Sequence, residues 1–573
     1  MKKLLTIFGF TSLLLIGCTE TIEPKDQKDE NTDEKTETRG GVAYGGIITI
    51  NSTEHYSSLF PLEVTDAYSS LIANNVYEGL MRINKENLKV EECLAEKMSI
   101  NESADEFTFT LKKGVKFHDD PCFEGGKGRE MKAKDVAFCL TNACSNFKNN
   151  KQADFLIKKI KGAQAFYDGK ADKVDGIQVN GDYEIKIVLE KSFAGFDKLL
   201  SHLGFSIYPE EAFAKYGENM NENMVGTGPF QQGSLKNGTE VTLKKNPNYW
   251  EKDEFGNKLP YADGIKISYL KSKKDEIMAF KSGKLDILTG MPVDHIDDFV
   301  GSLEEAQQGK NKKHRYNSIN GLSVDYIGFL GTHEVFGDEN VRKAFAHAIN
   351  RKTLVEVDLE GDATIATNGF VPPMADYDES KVVGPVYSPE LAKSYLKKSG
   401  KNGSNFPLTT LFYNSSSSRQ EIIAKAVQRD VHRNLGIKIE IKANPMSEHN
   451  KMVSNSEAPI WKLGWVADYP DPENFLNLFY GGNIQEGSYL NAFKFKNEKF
   501  DALFEEASKE SDVSKRMKLL QECDQLIMEK AVVVPLLHKN VELITVAKIK
   551  NCNVDPMGSI DLKNTYIKEK KVK

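Results

Sequence analysis

Residues 226–230 read GTGPF, residues 246–250 read NPNYW, and the run EVTLKK at 240–245 lies between them. Apolar and polar side chains alternate in this run, which is typical of a strand with one buried face. The Gly-Pro and Asn-Pro pairs on either side are typical of turns. The stretch therefore predicts a turn, a half-buried strand and a second turn.

The same alternation recurs at 46–50, 105–118 and 181–190, which predicts further strands. Helical periodicity is found between and after these segments, at 67–80, 133–144, 162–167, 196–203, 341–355, 389–398, 418–434 and 500–527. Because helices and strands alternate through most of the chain, the pattern predicts the α/β class.

Size and charge exclude several classes of protein. The chain has 573 residues and a formal net charge of −7, with Lys and Arg dispersed along it. A chain this long exceeds one hydrophobic core and should divide into two or three lobes. No basic patch argues for nucleic acid, and no apolar run after the amino terminus reaches membrane-spanning length.

The amino terminus predicts export. Lys2 and Lys3 precede an apolar run at 4–16 that is too short for a permanent transmembrane helix, which indicates a cleaved signal peptide at 1–17. Its ending, LIGC at 15–18, resembles the bacterial lipobox and implies that Cys18 is diacylated. Two acyl chains suffice for stable anchoring outside the cytoplasm, on the periplasmic or cell-surface face. The alternative is an ordinary signal peptide that contains a cysteine.

The residues after Cys18 predict a tether. Residues 19–39 are rich in Glu, Asp, Lys and Thr and contain no aromatic residue, so they cannot bury a core. We expect 18–41 to be a lipidated cysteine followed by a disordered linker.

Catalytic and metal-binding patterns are missing from the sequence. The chain has no GxSxG, HExxH, GxxxxGK[ST] or CxxC motif, and its ten histidines show no ligand spacing. The nearest reactive cluster, His118 to Asp120, is interpreted as structural. Cys122, Cys139 and Cys144 lack the spacing of a zinc site, which favours free or disulfide-bonded thiols. The sequence therefore predicts a protein that is not an enzyme and that holds no cofactor or metal.

Short motifs in register carry a resemblance to a known family. They are YEGL at 77–80, FTFTL at 107–111, GVKFHD at 114–119, AKDV at 133–136, GTGPF at 226–230, NPNYW at 246–250, GNKLPY at 256–261, VRKA at 341–344, AINR at 348–351, VPP at 371–373 and the segment 465–472. Together they resemble the family 5 extracellular solute-binding proteins of ABC importers, over residues 42–565.

The resemblance implies a two-lobed periplasmic-binding-protein fold of mixed sheets and helices. Lobe I would comprise 42–77, 205–315 and 534–573, with an added subdomain at 78–204, and lobe II would comprise 316–533. Two crossings would then form the hinge. The segment PCFEGGKGRE at 121–130 departs from the family pattern and is expected to be a surface loop.

Residues 461–472 (WKLGWVADYPDP) are the predicted recognition segment. Strand alternation puts Lys462, Gly464 and Val466 on one face and Trp465 on the other, and Gly464 would permit close approach of another backbone. In peptide-binding relatives this strand pairs with the ligand main chain. The aspartate at the position of Asp468 holds the α-ammonium group of the ligand there.

Other roles for these side chains remain open. Asp468 could instead cap the following turn, Trp465 could wall a side-chain pocket or fill the core, and Lys462 could meet a ligand carboxylate or do nothing. The loop that contains Glu54, His55 and Tyr56 is expected to contribute contacts from lobe I.

The function implied by the resemblance is capture of peptides by lobe closure and delivery to an ABC permease, by a monomer anchored to the membrane. One alternative keeps the fold and changes the solute to a metal chelate, haem, an opine or an oligosaccharide. A surface sensor or peptide chaperone is another, and a secreted hydrolase is the most distant.

Overall fold

The computed structural model describes residues 38–84, 89–236, 239–290, 305, 308, 310, 313–485, 487–488 and 490–568. The predicted signal peptide at 1–17, Cys18 and residues 19–37 of the predicted tether lie outside the described residues. Within the described ranges, no helix combines the length and the apolar character that crossing a membrane requires.

Strands and helices alternate through the described residues, as predicted. The strands are β1 (Ile47–Ser52), β2 (Met81–Ile83), β3 (Val90–Glu92), β4 (Ala95–Ile100), β5 (Glu106–Leu111), β6 (Ile177–Val179), β7 (Glu184–Val188), β8 (Phe230–Lys236), β9 (Glu240–Lys245), β10 (Gly264–Tyr269), β11 (Ile287–Thr289), β12 (His314–Asn320), β13 (Ser323–Phe329), β14 (Thr364–Ile365), β15 (Thr409–Asn414), β16 (Ile439–Asn444), β17 (Ile460–Val466), β18 (Val533–His538), β19 (Asn540–Val546), β20 (Ile549–Lys550), β21 (Asn553–Val554), β22 (Ile560–Asp561) and β23 (Tyr566–Ile567). The α-helices are Ala67–Ala73, Ala133–Ala143, Ala153–Leu156, Ala163–Tyr167, Phe196–Leu199, Glu210–Tyr216, Lys273–Lys281, Glu339–Ala348, Arg351–Thr353, Pro389–Lys398, Ser418–Leu435, Met446–Ser454, Pro472–Leu476, Glu498–Lys509 and Val513–Glu529.

The first lobe is built on a mixed seven-stranded sheet in the order β12-β19-β11-β1-β10-β9-β8. β1 pairs in parallel with β10 and β11, and the remaining pairs are antiparallel. A separate four-stranded antiparallel sheet, in the order β4-β5-β7-β6, forms the core of the added subdomain.

The second lobe is built on a mixed six-stranded sheet in the order β14-β18-β13-β17-β15-β16. All seven residues of β13 and all six of β18 are buried. Burial does not alternate along them, because both faces of the sheet are covered: Ile327 and Phe329 of β13 pack in one core cluster, and Val324 and Tyr326 pack in another.

The chain crosses between the two large sheets twice, and the crossings lie side by side. β12 ends at Asn320 and β13 begins at Ser323, while β18 ends at His538 and β19 begins at Asn540. The Gly321 amide donates to the Lys539 carbonyl at 2.8 Å, which joins the crossings. The predicted lobe boundaries at 315/316 and 533/534 fall inside β12 and β18, each of which leads directly into one of the crossings.

Several family motifs meet at one buried carboxylate, that of Glu78. Thr227 Oγ1, Tyr249 Oη and Trp250 Nε1 donate to it at 2.8, 2.7 and 3.0 Å. A Cβ on Gly226 or Gly228 would lie 2.3 or 2.6 Å from the carbonyl oxygen of Val76, so only glycine allows this approach. The motifs therefore hold the first lobe together.

Several predicted helices are shorter in the structure than their periodicity suggests, and those predicted over 196–203 and 341–355 end at Leu199 and Ala348. The helix predicted over 500–527 is two helices, because Asp512 accepts a hydrogen bond from the Lys515 amide and caps a new helix at Val513. The helix predicted over 67–80 ends at Ala73, and the apolar residues after it pack into the core without helical structure.

The segment 121–130 is anchored at its carboxyl end. The Arg129 guanidinium forms ion pairs with Asp135 at 2.7 Å and Glu211 at 2.6 Å. Gly125 and Gly126 adopt positive φ, as a tight turn requires. The segment is therefore a loop that turns at Gly125 and Gly126 and is fixed to the subdomain at Arg129.

Candidate functional site: a cavity between the lobes

A cavity of about 850 Å³ lies between the two lobes. Its first-lobe wall comes from the helix Ala67–Ala73 and from the segments 249–261 and 551–564. Its second-lobe wall comes from the end of β17 and the turn after it, including Val466 and Asp468. Residues that are far apart in the sequence therefore line the same cavity.

Asp468 is held at the cavity wall by Asn474. The Asn474 amide donates to Asp468 Oδ2 at 3.2 Å, while Asn474 Oδ1 accepts from the Asp468 amide at 3.3 Å. The same oxygen accepts from Trp465 Nε1 at 2.8 Å. Asn474 thus fixes the orientation of both side chains, and no motif in the sequence singled it out.

The Asp468 carboxylate lacks a cation among the described residues, whose ion pairs do not include it. Burial raises its pKa, the Asn474 hydrogen bond opposes the rise, and the negative charge of Glu473 adds to it. Elsewhere on the cavity wall, Glu251 is compensated by Arg82 at 2.8 Å and by Lys563 at 2.6 Å. A cation that entered the cavity would therefore find at Asp468 a carboxylate without a competing positive partner.

Among the described residues, a strand pairs with the whole length of β17 on one edge but only with its first two residues on the other edge. The register between β15 and β17 covers Ile460 and Trp461, so the later residues of β17 extend past this pairing. The Lys462 carbonyl accepts a hydrogen bond from Nε2 of His449, on the helix Met446–Ser454, at 3.0 Å. Because main-chain groups alternate in an antiparallel ladder, those of Gly464 and Val466 point to the same side. Val466 is 57% exposed, and this edge can accept an added strand.

A neighbouring side chain in the second-lobe sheet requires glycine at position 464. It pairs across the sheet with Asp325, and a Cβ on Gly464 would lie 2.4 Å from Asp325 Oδ1. Any larger residue would displace this carboxylate.

Lys462 does not reach the cavity, contrary to its predicted role. Its side chain is fully buried in the second lobe, where Nζ lies 3.2 Å from Asp325 Oδ1 and donates to Gln420. Burial lowers the pKa of Lys462 to about 8, although Asp325 acts in the opposite direction. The ammonium group therefore neutralises Asp325 and is closed off from a ligand.

The remaining predicted site residues lie outside the lining of this cavity. Trp465 packs on the second-lobe core with its indole bound to Asn474. Glu54 and His55 are exposed, Tyr56 is half-buried, and the His55 ring lies 4.6 Å from Tyr269. A ligand role for Gly464, Trp465 and the loop residues stays a prediction.

The turn after Asp468 contacts the first lobe. Tyr469 packs in the first-lobe core, 6.3 Å from the ring of Phe193. Asp471 binds Arg516 of its own lobe at 2.6 and 2.8 Å, and Lys198 of the subdomain at 3.3 Å. Sequence reasoning missed this junction, since no local pattern pairs residues 198, 471 and 516.

The next question is whether the described residues contain a metal site or a reactive side chain. Its residues contain no cluster of three or more His, Cys, Asp or Glu side chains placed to hold a metal ion. The six cysteines from Cys93 to Cys552 are free thiols. His118 is buried between Gly226 and Gly228, and burial lowers its pKa to about 4, so it serves the packing of these glycines.

Two lobes joined by paired crossings, with a cavity between them, define a solute-binding protein. The family model "Bacterial extracellular solute-binding proteins, family 5 Middle" matches residues 89–487. The chain belongs to this family, which confirms the resemblance read from its motifs.

Known proteins resemble the chain over most of its length. It is 26% identical to the oligopeptide-binding protein OppA of Bacillus subtilis (strain 168), covering 91% of this chain and 92% of that protein. It is also 26% identical to di/tripeptide-binding protein 1 of Pseudomonas aeruginosa (strain UCBPP-PA14), covering 85% and 87%.

Solved structures share the fold. The periplasmic binding protein DppA of Helicobacter pylori, in complex with the peptide STSA, superposes with a TM-score of 0.70 at 23% identity, covering 92% of this chain and 99% of that one. HbpA2 of Haemophilus parasuis superposes with a TM-score of 0.77 at 22% identity, covering 91% and 100%. These likenesses confirm the two-lobed α/β fold.

Proposed function

We propose that the protein captures peptides between its lobes and binds their α-ammonium group at Asp468. The observation that carries this proposal is the half-buried carboxylate of Asp468, which forms no ion pair with the described residues and lies at the wall of a cavity between the lobes. The free edge of β17 beside it offers main-chain hydrogen bonds, which bind an extended peptide without regard to its sequence. Relatives named for oligopeptides and di/tripeptides support this choice of ligand.

A double-mutant cycle between protein and ligand tests the ammonium site. Asp468→Asn keeps the shape and removes the charge, and loss of one partner of a buried pair costs on the order of 2 to 5 kcal/mol. Affinity should fall by roughly thirty-fold or more. An N-acetylated peptide should bind poorly to the wild type and lose little more on the variant.

Calorimetry on the four combinations decides the question, with the exposed Asp172→Asn as a control that keeps wild-type affinity. If acetylation and Asp468→Asn weaken binding independently, Asp468 does not contact the amine. If a broad peptide mixture does not raise the melting temperature at all, the solute is one of the other classes: a metal chelate, haem, an opine or an oligosaccharide.

We further propose that Cys18 anchors the protein to the outer face of a membrane, where it delivers its ligand to an ABC permease. The lipobox at 15–18 supports the anchor, and membership in an extracellular family supports the location. Cys18→Ser should release the protein from the detergent phase in a partitioning assay. A variant that still partitions with detergent contradicts lipidation at this residue.

We also propose that the protein binds its solute without chemically changing it, in accord with its membership in a solute-binding family. Long incubation of a bound peptide should return it intact by mass spectrometry. Cleavage products that appear with wild-type protein, and fail to appear with buffer alone, would indicate a hydrolase.

A further inference from the structure

A second cavity of about 440 Å³ lies beside the first. Most of its lining is apolar and comes from both lobes, with Val90 on the subdomain, Leu322 at the crossing and Tyr377 and Met517 on the second lobe. This space, the apolar chamber, is walled by side chains that offer packing and few hydrogen bonds.

The apolar chamber adjoins the cavity that contains Asp468. Ile83 and Pro470 line both spaces. Pro470 follows Asp468 by two residues, and two residues of chain span at most roughly 7 Å. A peptide whose α-ammonium group is at Asp468 therefore reaches the apolar chamber with the side chain of its first or second residue.

The charged groups around the apolar chamber already have partners. Lys89 Nζ forms an ion pair with Asp376 at 3.0 Å, and Lys198 Nζ lies 3.3 Å from Asp471. A charged ligand side chain that entered the apolar chamber would lose its hydration and gain no unpaired opposite charge. An apolar side chain would lose only its contact with water, which favours binding.

We propose that the apolar chamber receives an apolar side chain from the first or second residue of the bound peptide. This inference rests on the proposed peptide function and adds a preference that main-chain pairing does not supply. Burial of one large aliphatic or aromatic side chain should tighten binding by roughly ten- to a hundred-fold over alanine.

Matched tetrapeptides test the preference by calorimetry. The probes are all-alanine tetrapeptide and its derivatives with leucine or aspartate at the first, second or fourth position. Leucine at position one or two should tighten binding by roughly ten-fold or more, and aspartate there should not. Equal affinities for the alanine and leucine peptides, or a gain at the fourth position alone, would overturn the inference.

Filling the apolar chamber provides the complementary test. Met517→Trp and Met374→Trp enlarge side chains on two different segments of its wall. If one variant fails to fold, the other still provides the test. Each should bring the affinities of the leucine and alanine tetrapeptides to within about two-fold of each other, because leucine gains affinity over alanine only by burial in the apolar chamber. The control Met278→Trp, at a residue that is 58% exposed, should keep the preference.

The outcomes separate the two proposals. If none of the tetrapeptides binds wild-type protein, the peptide function fails and this inference fails with it. If the peptides bind, and both tryptophan variants retain the full leucine preference, only the apolar chamber assignment is wrong.

Discussion

Asp468 and Asp471 lie three residues apart in one turn, yet their carboxylates are in opposite electrostatic environments. Burial raises the pKa of Asp468, which faces the cavity without a cation. Burial would also raise the pKa of Asp471, but the charges of Arg516 and Lys198 outweigh it and hold the pKa well below its usual range. The difference comes mainly from Arg516 and Lys198, which lie far from Asp471 in the sequence.

The comparison separates a carboxylate with a structural role from one that we propose binds ligand. Asp471 accepts a hydrogen bond from the Glu473 amide and caps the helix Pro472–Leu476, which is the role that the sequence left open for Asp468. All of its lone pairs are directed at protein donors. Asp468 is held by a neutral amide, so its charge remains available to a ligand.

The largest expected effect is on stability, from Asp471→Asn. This change leaves Arg516 and Lys198 beside a neutral amide in the junction between the lobes, and removal of one member of a buried pair costs about 3 to 5 kcal/mol. Urea denaturation of the ligand-free protein measures the loss. Asp468→Asn is the matched control and should not lower stability at neutral pH, because it removes an ionised group that burial disfavours. A similar loss of stability in both variants would show that the two carboxylates do not differ in their contribution to folding.

The second prediction concerns pH. Peptide binding at Asp468 needs the ionised carboxylate, and burial raises the pKa of that group. Affinity should therefore fall, by up to roughly ten-fold per pH unit below this pKa, as acid protonates Asp468. The fall should begin at a higher pH than for an ordinary aspartate.

Calorimetry between about pH 7.5 and about pH 4.5 measures this effect, and the much weaker binding to Asp468→Asn should stay flat over the same range. The stability of the ligand-free protein should change with pH in the opposite direction to the affinity. A group with a raised folded-state pKa contributes stability below its unfolded-state pKa and loses it as pH rises through the folded-state value. A parallel acid response in both proteins would assign the titration to another group.

The smallest expected effect is that of Lys198→Met. Asp471 keeps its two hydrogen bonds from Arg516, so the loss should be about 1 kcal/mol. Lys170→Met is the control, since Lys170 and Asp168 form an exposed pair at 2.9 Å, and it should not change stability measurably. A loss for Lys198→Met as large as that for Asp471→Asn would mean that Lys198, and not Arg516, is the main partner of Asp471.

Local patterns predicted much of the secondary structure. The alternating run at 240–245 is strand β9, and the helix predicted over 389–398 has the same bounds in the structure. Both segments carry their own signals, side-chain alternation in one and a Ser388 cap followed by Pro389 in the other. Where a cap interrupts a continuous apolar period, as at Asp512, periodicity alone predicted one helix too long.

Residue order was sufficient to predict the α/β class and the family, because these depend on local periodicity and on motifs in register. That Lys462 is buried against Asp325, that Asp471 holds the lobe junction and that Asp468 faces the cavity followed from the three-dimensional arrangement alone. Each of these roles depends on a partner, or on the lack of one, more than forty positions away or on another lobe. Burial and charge act through space, and the order of residues along the chain does not record which distant side chains meet.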